Sequence, residues 1–183
     1  MSKSPSGVAA LGLTAFALPA SAQDVYLGGA LSSGEIELSF FNQSNTIRSV
    51  DVFGGARFDM GTSMFFGVEA QATFSDGYIA GGGGPAGKNN TFQGEVHMGY
   101  AADWGRVYGF VGFGKTNLSG LNNPDVTTGS DVTLYGLGTD ISLSDSLALR
   151  IEVEMSDMSV TDNCCGAFNV STKEVSVGAV YSF

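Results

Sequence analysis

Between residues 24 and 183, separate runs set apolar against polar positions at every second residue, the period at which successive side chains point to opposite faces of a β-strand. The clearest run is Met64 to Phe74, where Phe66, Val68, Ala70, Ala72 and Phe74 alternate with Gly67, Glu69, Gln71 and Thr73. The closing run sets Val175, Val177, Ala179, Tyr181 and Phe183 against Glu174, Ser176, Gly178, Val180 and Ser182. Six more runs share the pattern: about 24–32, 47–58, 91–101, 106–115, 132–143 and 147–155. In the run 106–115 either Val107, Val111 and Phe113 or Tyr108 and Phe110 could form the oily face. We take the first set as outward, with the aromatics and glycines inward.

The connections alternate in length. Long polar stretches at 33–45, 75–90, 116–130 and 156–170 are interleaved with short turns at 59–63, 102–105 and 144–145. An up-and-down antiparallel meander produces this rhythm, with every long loop at one end and every short turn at the other. The oily faces read as a lipid-contacting surface, and in hydrocarbon every backbone group must be paired, so such strands must close without an edge. The predicted fold is therefore all-β: an eight-stranded antiparallel up-and-down transmembrane β-barrel. Phe58, Phe66, Tyr100, Tyr181 and Phe183 would ring the short-turn end, and Phe74, Phe92, Phe113 and Tyr135 the long-loop end. A soluble lipocalin-type barrel, with the oily face inward, is the competing architecture. The aromatic placement and the terminal Phe183 argue against it.

Composition agrees with alternation. Hydrophobic residues make up 43% of the chain and charged residues 14%, with 27 glycines and 13 phenylalanines. Yet beyond residue 22 no apolar run reaches the roughly 20 residues of a membrane-spanning helix. Residues 1–22 carry Lys3, the apolar run Val8 to Leu18, and Pro19-Ala20-Ser21-Ala22. They read as a secretory signal peptide cleaved before Gln23, leaving residues 23–183 as one barrel domain. The formal net charge of −10 disfavours nucleic acid as a partner.

The exported signal, the segment Gly136-Leu137-Gly138-Thr139-Asp140-Ile141-Ser142-Leu143-Ser144-Asp145-Ser146-Leu147-Ala148-Leu149-Arg150-Ile151-Glu152 and the ending Gly178 to Phe183 together carry a resemblance. The chain resembles the small outer-membrane β-barrel superfamily of Gram-negative bacteria that includes the OmpA transmembrane domain, OmpX and the opacity-type surface proteins. That resemblance implies residence in the outer membrane, contact with its lipid, and a closing strand read by the barrel assembly machinery through Val177, Ala179, Tyr181 and Phe183. It also implies that Asp140, Arg150 and Glu152 point into the barrel. Because the sequence stops at its last strand, no peptidoglycan-binding domain is expected.

By parity the inward polar set is Asp51, Arg57, Glu69, Gln71, Glu95, His97, Asp140, Arg150, Glu152 and Glu154. An eight-stranded bore is just wide enough for side chains to fill. The set therefore reads as a packed polar plug in which Arg57 and Arg150 serve carboxylates across the lumen, the alternative being a narrow, cation-favouring pore. His97 is the only histidine. Lipid-hydrolysing barrels place a His and a Ser two residues later on the outer wall, but here Gly99 stands at that position and His97 faces inward. No catalytic site, cofactor or metal is expected.

The stretch GGGPAGKN at 82–89 ends in Asn where a phosphate-binding loop needs Ser or Thr, and a strand follows it instead of a helix. Cys164 and Cys165 are adjacent in the last loop. They can join as a vicinal disulfide, the reading we favour, bond to another chain, or stay as thiols. Loop residues Phe40, Phe41, Tyr78, Ile79 and Leu121 are where a host or neighbouring-cell ligand would bind. The functional expectation is a structural or adhesion-type surface role, with the pore as alternative and a lipid-modifying enzyme far behind.

Overall fold

A computed structural model describes residues 24–38, 43–61, 63–77, 87–119, 127–162 and 166–183. Residues 1–22, both cysteines and the five apolar loop residues named above lie outside these. Eight strands carry almost everything else: β1 (Asp24–Leu38), β2 (Gln43–Asp59), β3 (Met64–Gly77), β4 (Gly87–Ala102), β5 (Gly105–Ser119), β6 (Thr127–Ser142), β7 (Leu147–Asp162) and β8 (Gly166–Ser182). Each pairs antiparallel with its neighbours in sequence, and β8 returns to β1, so the sheet is a closed barrel. Closure runs to the end of the chain, where Phe183 N donates to Val25 O at 3.0 Å.

The short turns follow from local chemistry. Between β2 and β3, Met60 N bonds Met64 O and Met64 N bonds Gly61 O, with Gly61 at φ 79°. Gly105 opens β5 at φ 146°, and a Cβ there would collide with the carbonyl of Asp140 on β6. Only glycine fits both demands.

The outward faces form a continuous apolar band. Leu31, Val50, Phe74, Phe92, Phe113, Tyr135, Met155 and Val175 mark its upper rim, and all are exposed. Tyr100, Trp104, Leu143, Leu147, Tyr181 and Phe183 lie exposed at the short-turn end. On β5 the outward residues are Val107, Val111 and Phe113, while Tyr108 and Phe110 are buried. Beyond the upper rim the outward positions turn polar, with exposed ion pairs Lys115–Asp131 at 3.2 Å and Lys173–Glu37 at 3.3 Å.

One expectation needs correction. Strand extends into all four stretches read as long loops: β1 runs on to Leu38, β3 to Gly77, β5 to Ser119 and β7 to Asp162. Strands of 14 to 17 residues with a tilt of ~40° and a rise of ~3.3 Å per residue span roughly 40 Å, well beyond an apolar band of ~25 Å. Above the apolar band the outward face meets water while the inward face still buries Ile47, Val132, Met158 and Val170, so the hydrogen-bond ladder continues after the outward apolar alternation has stopped.

Trp104 is the only tryptophan and lies in the β4–β5 turn. In vesicles its fluorescence should be quenched more by lipids brominated near the headgroup than by lipids brominated at the chain ends, as for an interfacial aromatic. Stronger quenching from the chain ends would contradict the placement of the girdle.

Candidate functional site in the barrel interior

Inward positions from all eight strands build a filled bore, and its polar groups fall into two layers. The lower layer, toward the short turns, is centred on Arg150, which is wholly buried. Its Nε donates to Asp140 Oδ1 at 2.9 Å, and its Nη1 donates to Glu69 Oε2 at 2.7 Å across the bore. Glu152 Oε1 lies 3.6 Å from the same Nη1. Arg57 bridges Asp140 at 2.5 Å and Asp24 at 2.9 Å, and Arg106 reaches Asp24 at 2.9 Å. Asp140 and Arg150 are direct cross-strand partners of β6 and β7, so register alone sets the first pair.

These charges are packed between aromatic rings. Arg57 Cζ stands 3.7 Å from the centre of the Tyr26 ring, and Arg150 Cζ stands 4.3 Å from that of Phe53. Guanidinium over an aromatic face combines dispersion with attraction to the ring quadrupole. The hydroxyl of Tyr26 donates to Glu69 Oε2 at 2.7 Å, and that of Tyr108 donates to Glu152 Oε1 at 2.8 Å. Inward glycines make the room: added methyl groups at Gly28, Gly55, Gly136 and Gly138 would run into the rings of Phe53, Tyr26, Phe110 and Tyr108 respectively.

His97 is 1% exposed and lies flat against Tyr108, with ring centres 5.0 Å apart and planes 7° apart. Its Nε2 is 2.9 Å from Glu95 Oε2. Above it the second layer holds Asp51, Glu95, Glu154 and Glu174. Ser32 donates to Asp51, while Gln93 Nε2 donates to Glu95 at 2.9 Å and to Glu154 at 3.3 Å. No Lys or Arg among the described side chains joins this layer. Ile47, Val132, Met158 and Val170 bury apolar side chains beyond it.

The ten predicted lumen residues therefore do not form one network. Arg57, Glu69, Asp140, Arg150 and Glu152 meet in the lower layer, whereas Asp51, Glu95 and Glu154 belong to the upper one, with His97 between them. Gln71 is half-buried and donates to Thr73 on its own strand at 3.1 Å, and Thr73 in turn hydrogen-bonds Asp51, which ties Gln71 to the edge of the upper layer. Tyr108 and Phe110 fill the bore as the reading of β5 expected, and further rings join them. Tyr26, Phe53, Phe65, Tyr108 and Phe110 are all buried, and Asp24 and Gln93 join the polar bonding. Parity already put Tyr26, Phe53 and Gln93 inward, but the weight given to charge hid the ring stacks.

An apolar outer band around a polar, filled bore is the architecture of a membrane-spanning barrel. The chain belongs to the outer membrane protein beta-barrel domain family, whose sequence model matches residues 8–183. Among solved structures it is similar to Neisserial surface protein A, at 14% identity and a TM-score of 0.58, covering 87% of this chain and 97% of that one. It is also similar to Ail, the attachment invasion locus protein of Yersinia pestis, at 13% identity and a TM-score of 0.56, covering 87% and 98%. Ail in complex with the heparin analogue sucrose octasulfate matches with a TM-score of 0.53 at 13% identity, again covering 87% and 98%. At these identities the likeness is one of fold. No curated protein sequence matches the chain.

The ring-on-glycine packing yields a test. Gly138→Ala should displace Tyr108, break its bond to Glu152 and lower stability by about 1–3 kcal/mol, as overpacking does. Urea titration followed by heat-dependent gel mobility measures it. In a Tyr108→Ala background the same change should cost less than about half as much.

Proposed function

We propose that the chain is an integral outer-membrane protein with a structural or surface-binding role and no catalytic turnover, acting through the end opposite the short turns. The observation that carries this reading is the lower layer: Arg150 bonds Asp140 and Glu69 on strands facing each other across the bore. A bore crossed by paired charges and stacked rings opposes a continuous water path, which favours the projecting strands and their connections as the working surface. Those strands present polar side chains well beyond the apolar band. The name of Ail and its complex with a heparin analogue support such a use of this architecture. The ligand here should differ, because 18 acidic residues against 8 basic ones suit a polyanion poorly.

Export by residues 1–22, outer-membrane localisation and reading of Val177, Ala179, Tyr181 and Phe183 by the assembly machinery belong to the same proposal. Tyr181 and Phe183 pack edge to face at 5.1 Å on the outer wall, and Phe183 is 80% exposed. Such a terminus is open to recognition before insertion. Deleting Phe183 should lower the yield of assembled barrel in cells while leaving the bonding of the lumen intact in molecules that do fold. A vicinal Cys164–Cys165 disulfide would stiffen the β7–β8 connection.

The second reading, a narrow cation-favouring pore, is favoured by the base-free upper layer of carboxylates. Planar bilayers separate the two. The filled-bore reading expects no steady conductance steps, and cation-selective steps abolished by Glu69→Gln or Glu95→Gln would overturn it.

A further inference from the structure

We propose that the barrel interior holds a buried site for one divalent transition-metal ion, ligated by Glu69, Glu95 and His97. One oxygen from each carboxylate and one ring nitrogen of His97 lie within 4.8 Å of one another, and all three residues are buried. The backbone sets this arrangement. Glu95 and His97 are two apart on β4 and so share the inward face, while Glu69 on β3 is the direct cross-strand partner of Glu95. Two like charges placed directly opposite repel one another unless a cation or a proton lies between them.

The hydrogen bonding leaves ligand atoms free. Glu69 Oε2 is taken by both Arg150 and Tyr26, yet Glu69 Oε1 is buried and accepts no hydrogen bond. A buried carboxylate oxygen without a partner costs free energy that a cation would recover. Glu95 Oε2 and His97 Nε2 already stand 2.9 Å apart. Ligand atoms in a tetrahedral zinc shell are about 3.3 Å apart, as bonds of roughly 2.0–2.1 Å require. Glu69 therefore needs only a modest approach toward this pair, and the metal replaces the proton that Nε2 and Oε2 now share.

Each ligand is braced by a neighbour, as metal ligands generally are. Arg150 and Tyr26 hold Glu69, Gln93 holds Glu95, and the Tyr108 ring fixes the plane of His97. The imidazole and two carboxylates suit zinc and its first-row neighbours, whereas magnesium and calcium prefer shells made of oxygen alone. Charge points the same way, since the upper layer adds Asp51, Glu154 and Glu174 with no base among the described side chains.

The test uses the full barrel without an affinity tag, refolded in detergent with equimolar Zn²⁺ and freed of unbound metal by gel filtration. We expect about one zinc per folded chain, and less than about a tenth of that in folded His97→Gln and Glu95→Gln, a loss of the size expected when a ligand is removed. X-ray absorption at the zinc edge of the unsubstituted protein should show nitrogen and oxygen ligands with a single imidazole. This second reading holds even where a variant fails to fold. Folded protein that retains no zinc would overturn the site, as would equal retention by folded His97→Gln or a sulfur shell from Cys164 and Cys165.

Discussion

A guanidinium sealed inside a narrow barrel must be neutralised from every side, and the interior of this protein is arranged around that demand. Arg150 takes Asp140 from the adjacent strand, Glu69 from across the bore and Glu152 from its own strand. An unpaired charge there would cost several kcal/mol, so the three carboxylates depend on Arg150 as much as it depends on them. Tyr26, Phe53 and Tyr108 close the remaining directions. Such a centre ties β1, β2, β3, β5, β6 and β7 together through side chains, over and above the backbone ladder that closes the wall.

The wall and the bore answer to different solvents. Outside, the chain meets lipid, and the apolar band with its interfacial aromatics follows from that contact. Inside, a polar face would be soluble on its own, so its composition is free to serve packing or binding. The lower layer is nearly charge-balanced, with three arginines against Asp24, Glu69, Asp140 and Glu152. Among the described side chains, every charged group of the upper layer is an acid. That asymmetry across a few residues makes the level of His97 the place where a cation fits best.

Much of the fold was legible because lipid on one face and a filled bore on the other impose strict alternation. Met64 to Phe74 declared its two faces plainly, and Asp140 with Arg150 could be placed inward by parity alone. Strand length was not legible: Ser33, Glu35 and Ser44 carry no apolar rhythm, yet they lie in β1 and β2 because ladder bonding does not need lipid. The split of the site was hidden as well. Parity says that Asp51 and Asp140 both face inward, but only the stagger of strands around the barrel decides which carboxylate meets which arginine. The glycine seats under Tyr108 and Phe110 depend on the same stagger, since Gly136 and Gly138 become sockets only once β5 and β6 are in register.

The most direct measure of the account is a double-mutant cycle between Arg150 and Glu69, using Arg150→Met, Glu69→Leu and both together, with unfolding followed in detergent. A charge pair buried on opposite sides of the bore predicts that each single change destabilises the barrel strongly. The double variant should recover much of the loss, giving a coupling of at least about 1.5 kcal/mol. Additive losses, with coupling near zero, would mean that the two side chains do not meet in the folded barrel and would contradict the arginine-centred interior.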